Sequence, residues 1–395
     1  MPRSLRAASQ YAVVVVCTLI FLFTAACIVA LTITGSGLGK RDFISYWAAA
    51  HQLAQHRDPY SSDEVFALER AHGLGDNTRE IIMRNPPYAL ASVLPLERLQ
   101  PRAGFLLWSL LLLACLIASV RMLWTLHGRP RGHLELLGYS FAPALACILL
   151  GQTSLFALLG LVLFLKLYRQ RPFLAGAALW LCALKPHLFL PFALVLLVWI
   201  VVTRSYAILA GVALTLAASC FAVYVIDPAA WQQYHALMQS WGIQQEYIPC
   251  LAIALRFAVR PAALWLQYLP AALACVWSLF YYGRNRANWN WLEHGSLLLM
   301  VSLVAAPYSW FTDQSILIPA ILSAAWLTRS RAAIALLALG SAAIELAVFF
   351  HVSMHAPAFL WSAPAWFAWY LYATHTANPT VTESALPQPT AHTAT

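Results

Sequence analysis

Runs of roughly 16–22 apolar residues recur along almost the whole chain, and that single pattern leaves few folds open. Each run is bounded by Arg, Lys, Pro or Gly, as helices ending at a membrane surface are. At 61% hydrophobic and 10% charged residues, with a mean hydropathy of +0.69 over 395 residues, the chain has more apolar surface than a water-facing shell can enclose. The reading is an all-α, polytopic transmembrane protein of about twelve spans, near 11–33, 103–126, 134–150, 152–168, 173–186, 187–203, 205–226, 262–282, 292–308, 314–328, 332–350 and 357–374.

The first span follows Arg3 and Arg6 and superficially resembles a secretory signal. It is too long and lacks a convincing small-residue cleavage site, so it reads as a retained anchor. Residues 1–374 then make one integral-membrane domain, and 375–395, rich in Pro and Thr, a disordered cytoplasmic tail. Of eight cysteines all but Cys250 fall inside apolar runs, with no CxxC or Cys/His spacing, which points to small core residues instead of disulfides or metal ligands.

With the N-terminus inside, the short basic turns share one face: Arg129 and Arg131; Lys166, Arg169 and Arg171; Arg204; Arg284 and Arg286; Arg329 and Arg331. This positive-inside pattern places both termini in the cytoplasm. It also accounts for the net charge of +9 through contacts with anionic lipid headgroups, and nucleic acid is not an expected partner. The opposite, outer face carries a loop at 34–102, a loop at 227–261 and short connections at Gly151-Gln152, Lys185-Pro186-His187 and 307–314.

Most unusual polar chemistry lies on that outer face. Asp42 closes a Lys-Arg-Asp triplet, and the residues after it place Phe43, Tyr46, Trp47, Ala50 and Leu53 or Ala54 at helical spacing. That segment reads as a helix lying in the interface, with Tyr46 and Trp47 at headgroup depth. Two readings fit Asp42 and are compatible: a helix N-cap, and a base for chemistry at the membrane boundary. In Asp58-Pro59-Tyr60 and Arg84-Asn85-Pro86-Pro87-Tyr88 each proline holds its predecessor extended; Asp58 reads as loop punctuation, Asn85 as punctuation or as an amide held with Arg84 toward a polar ligand.

Lys185 and His187 form a basic pair in an apolar stretch, where positive-inside bias disfavours them. Lys185 either snorkels to the headgroups or serves as a cation for a lipid phosphate. In Pro307-Tyr308-Ser309-Trp310-Phe311-Thr312-Asp313-Gln314, Asp313 is the only acid among the short outer connections; it is an ordinary turn residue or completes a pocket over the long loop. Gln152 reads chiefly as a helix cap.

In this order, Asp42-Phe43 with Tyr46-Trp47-Ala48-Ala49, Asp58-Pro59-Tyr60, Asn85-Pro86-Pro87, Gly151-Gln152, Lys185-Pro186 and Pro307-Tyr308 through Asp313 resemble glycosyltransferase family 87, over about residues 35–330. These are bacterial polyprenyl-phosphate-mannose-dependent mannosyltransferases of the GT-C superfamily. The resemblance implies a cell-envelope enzyme of the inner membrane. Its donor is a sugar on a polyprenyl phosphate, its acceptor a glycolipid or glycan, and its active site lies on the outer face. Some members carry histidine near 307–314 where this chain has Thr312 and Asp313, an acidic variant.

By that resemblance Asp42 is the general base of an inverting displacement, and Asp313 joins it as a catalytic carboxylate. Arg84, Asn85, Lys185, His187, Tyr46, Trp47, Gln152 and Trp310 surround the substrates, with Lys185, Arg84 or His187 stabilising the departing phosphate. No cofactor is expected and, without hard-metal spacing, no metal, unless Asp42 and Asp313 meet. A transporter or lipid flippase is the alternative and a non-catalytic scaffold a third reading. Against transport, carboxylates concentrate in outer loops, with Glu345 the main acid inside a span.

Overall fold

The computed structural model describes residues 15, 19–20, 22–30, 33–34, 42–72, 81–240 and 245–376. The Lys40-Arg41 part of the basic-acidic triplet and the tail from residue 377 lie outside these residues, as does much of the N-terminal anchor. The described residues form helices and connecting turns, with no β-strand among them.

Ahead of the bundle lie α1 (Phe43–Ala54) and α2 (Ser62–Ala71). The bundle follows as α3 (Pro101–Leu126), α4 (Ala142–Leu150), α5 (Ser154–Leu167), α6 (Pro172–Ala183), α7 (Leu190–Thr203) and α8 (Tyr206–Ile226). After α9 (Ala230–Gln239) and α10 (Leu251–Val259) come α11 (Trp265–Asn285), α12 (Trp291–Val304), α13 (Ile318–Leu327), α14 (Arg331–Phe349) and α15 (Ser362–His375). Pro at the first or second position of α3, α4, α6, α7 and α13 starts these helices where the missing N–H carries no penalty.

Every apolar stretch from 103 onward is helical, yet among the described residues four helical segments are long and apolar enough to cross a bilayer: Pro101–Leu126, Pro186–Thr203, Tyr206–Ile226 and Arg331–Phe349. The expected figure of about twelve goes beyond what helix length supports. The remaining apolar helices, such as Ser154–Leu167 and Pro172–Ala183, are shorter because polar junctions at Gly151-Gln152 and Lys185 interrupt the apolar run.

Close packing comes from small residues. α6 lies along both α5 and α8. A Cβ on Gly176 would sit 1.9 Å from the Ile208 carbonyl oxygen, and one on Gly211 would sit 2.1 Å from that of Phe173, so only hydrogen allows the α6–α8 backbones to approach this closely.

α1 departs from expectation. Ten of its twelve residues are buried, among them Tyr46 and Trp47, so it is covered by protein instead of lying in the interface. Its surroundings are apolar: Ala48, Ala49 and Ala50 are fully buried, and Phe43 and Trp47 pack against Gly104 of α3.

The basic turns share one end of the molecule. Arg129 and Arg131 follow α3, whose N-terminal end lies beside α1; the ring contact of His127 with Trp326, 4.9 Å between centroids, joins this region to the end of α13 that precedes Arg329 and Arg331. The short polar junctions between α4 and α5, α6 and α7, and α12 and α13 meet at the opposite end, where the cavity lies.

Candidate active site

Parts of the chain far apart in sequence build a cavity of about 480 Å³: the start of α1, the extended segment 81–86, the junctions after α4, α6 and α12, Tyr234 of α9, and the loops at 246–248 and 354–355. Asp42, Asp313, Arg84, Asn85, Lys185, His187, Tyr46, Gln152 and Trp310 all line it. Residues as distant as 42 and 313 in sequence are therefore gathered at one place. Trp47 does not reach it: its indole N–H donates to the Leu99 carbonyl at 2.9 Å and its ring stacks on His51.

A buried ion pair forms the floor. Lys185 Nζ lies 2.6 Å from Asp313 Oδ1, 2.6 Å from Gln152 Oε1 and 3.1 Å from Ser154 Oγ, so all three ammonium donors are engaged. The two residues are 7% and 1% exposed, and the snorkelling reading of Lys185 does not hold. Asp313 is equally committed, its Oδ1 also accepting from Ser154 Oγ at 2.6 Å and its Oδ2 from the Trp310 backbone N–H at 2.9 Å. It is neither a solvated turn residue nor an unoccupied carboxylate.

Gln152 carries this network to Asp42. Its Oε1 accepts from Lys185 and, at 3.3 Å, from Tyr46 Oη, while its side chain favours the charged form of the neighbouring Asp42 carboxyl. It caps no helix, contrary to the sequence reading, because Gly151 turns the chain first. Gly151 adopts φ 76° at the end of α4, letting the Gln152 N–H return to the Cys147 carbonyl at 2.9 Å and aiming the Gln152 side chain inward. A Cβ there would stand 2.5 Å from that of Phe43, so glycine also permits α1 to approach.

Asp42 precedes α1 with helical backbone angles and its side chain makes no capping bond, so the N-cap reading fails. Its Oδ2 is shielded from solvent and accepts no hydrogen bond. Burial raises the Asp42 carboxyl above the usual carboxylate range, against the opposing pulls of the Gln152 bond and the Lys185 charge. A carboxylate that lines the cavity and has an oxygen accepting no hydrogen bond is placed to accept a proton.

The rim is a second set of pairs. Arg84 forms a salt bridge with Glu246, whose other oxygen lies 2.9 Å from His355 Nε2. His187 stacks on Tyr308 at 3.7 Å, and its buried Nε2 has no hydrogen-bond partner. Asn85 faces the cavity but donates from Nδ2 to the Leu184 carbonyl at 2.7 Å, bracing the segment that carries Lys185. The Asp58-Pro59-Tyr60 turn explains itself here: Asp58 Oδ1 accepts from the Tyr60 N–H at 2.8 Å, and Tyr60 Oη donates to the Asn85 carbonyl at 3.0 Å. Sequence reasoning missed Ser154, Glu246 and His355. Ser154 sits two residues beyond Gln152, a usable signal, whereas Glu246 and His355 stand in loops without a recognisable pattern.

Among the described residues no group of three or more His, Cys, Asp or Glu side chains is placed to hold a metal ion. No curated protein and no solved structure matches the chain. The family model for glycosyltransferase family 87 matches residues 84–307, more than half of the 395 residues, and within it fall Arg84, Asn85, Gln152, Lys185 and His187. With apolar helices of spanning length and a polar cavity assembled at their ends, the chain belongs to glycosyltransferase family 87 and is a membrane glycosyltransferase.

Proposed function

We propose that this enzyme transfers a sugar, mannose in the first instance, from a polyprenyl-phosphate donor to a glycolipid or glycan acceptor at the outer face of a bacterial inner membrane. Its N- and C-termini are cytoplasmic. The observation that carries the reading is the unmatched, shielded Oδ2 of Asp42 beside a cavity whose other carboxylates are paired.

Asp42 takes the proton of the acceptor hydroxyl as that oxygen attacks the anomeric carbon, and the donor's phosphate leaves from the opposite side with inversion. General-base assistance of this kind contributes about 10²–10⁴-fold. Asp313 acts through Lys185 and Gln152, fixing the orientation of Asp42 without touching substrate. Lys185, fully coordinated and paired with Asp313, holds the cavity floor rigid, and Arg84 and His187 at the wall are the groups toward which a departing phosphate turns.

The basic turns at the end away from the cavity support the outward orientation. Membership of a glycosyltransferase family leaves the transporter reading without support. In liposomes supplied with labelled polyprenyl-phosphate mannose and a panel of glycolipid acceptors, the wild type should transfer label and Asp42→Asn should fall by about 10²–10⁴-fold. Equal transfer by the two proteins removes Asp42 as the base. Full activity in EDTA is expected; loss in EDTA with recovery in magnesium overturns metal independence.

A further inference from the structure

A second hollow lies at the far end of α1, and the transfer chemistry makes no use of it. His51, Gln52 and Gln55 of α1, Arg57 beyond it, and Glu64 and Leu68 of α2 line a space of about 190 Å³. Its frame is firmly closed. His56 adopts φ 55°, its N–H bonding the Leu53 carbonyl at 3.0 Å while the Arg57 N–H reaches that of Gln52 at 2.9 Å, a Schellman closure with histidine in the place glycine usually takes. His56 Nδ1 is 2.7 Å from the Ile226 carbonyl and ties this corner to the end of α8.

Two polar atoms of residues lining the hollow are unmatched. Gln52 is 3% exposed and its Oε1 accepts no hydrogen bond. His51 Nε2 lies 2.7 Å from the amide nitrogen of Gln55, which only donates, so the ring proton resides on Nδ1, itself buried without an acceptor. Buried donors and acceptors are seldom left unmade. A hydroxyl group both donates and accepts and suits such a pair, and the opposite charges of Arg57 and Glu64 in the lining offset each other, which fits a neutral ligand. The space is smaller than drug-sized ligand sites yet suits one sugar ring.

We propose that this hollow is a neutral-glycan subsite, holding a sugar unit of the acceptor remote from the reacting hydroxyl. At about 1.5 Å rise per residue, Gln52 stands about 15 Å from Asp42 along one helix, the span of a short oligosaccharide. The assignment rests on the transferase reading for its purpose, while binding itself is measurable without turnover.

The test uses the full chain in nanodiscs and saturation-transfer NMR with tetrasaccharides of mannose, glucose, galactose and arabinose, and with methyl α-mannoside as the single-sugar probe. At least one tetrasaccharide should bind wild type and Asp42→Asn alike, and bind Gln52→Met about ten-fold more weakly, the loss of about one good hydrogen bond. Gln52→Met is near in shape and removes an unmatched acceptor; Glu64→Ala, at an exposed position of α2, gives a second loss that does not disturb packing. Equal binding by wild type, Gln52→Met and Glu64→Ala overturns the subsite, as does binding lost in Asp42→Asn alone, which places the sugar at the base. Absence of binding to every protein also overturns it, and the transfer assay on Asp42→Asn then still decides the transferase reading separately.

Discussion

Burial in the folded chain disfavours the ionised form of Asp42. Its raised pKa means that the native state keeps the proton to higher pH than the unfolded chain does. Stability from this group is therefore complete at acid pH and declines as pH rises through the interval between the unfolded and native values. Asp42→Asn is free of that decline, so its melting temperature should exceed the wild type's by more at neutral than at acid pH, as thermal unfolding in detergent can record. Activity moves the opposite way, because the base works deprotonated: the acid limb of the rate profile should lie above the ordinary carboxylate range, and a limb at the ordinary value removes Asp42 from it. Lys185→Met leaves Asp313 charged and buried and should lower stability by about 3–5 kcal/mol, most of it regained in Lys185→Met with Asp313→Leu. A double-mutant cycle on unfolding measures the pair.

At the scale of elements, the site depends on where helices stop. Gly151 ends α4 and admits Phe43, the residue after Asp42, so Gly151→Ala should cost about 1–3 kcal/mol and reduce turnover by displacing the start of α1. Parallel assays of unfolding and transfer check both effects. The positions of α3 to α8 and of α11 to α15 were legible because apolar length and flanking Arg, Pro and Gly mark helices in lipid, whereas α9 and α10 lie in the stretch at 227–261 that reads as a loop. The burial of α1 was not, since an alanine-rich apolar helix has the same periodicity against protein as against headgroups. The roles of Lys185, Gln152 and Asp313 were half legible: a charge in an apolar run announces a partner, but not that the partner stands 128 residues away.

For the whole molecule, chain order gave the right companions, because successive spans return alternate junctions to the same end. Asp42, Gln152, Lys185 and Asp313 come together for that reason. The same alternation predicts labelling: in a cysteine-free background, an impermeant maleimide applied to intact cells should modify a cysteine at His72 or His235 and spare one at Arg131 or Arg171. The reverse pattern turns the cavity inward. Glu246 and His355 stayed hidden, since loop closure between distant segments leaves no periodic trace.

One consequence of the paired rim and floor concerns approach from solution. Despite a net charge of +9, the cavity's fixed charges cancel within the Lys185–Asp313 and Arg84–Glu246 pairs, leaving Asp42 as the odd one. A neutral acceptor entering such a site receives little long-range guidance. Its second-order rate should then be nearly flat in ionic strength, in contrast to enzymes that gather charged substrates through an uncompensated field.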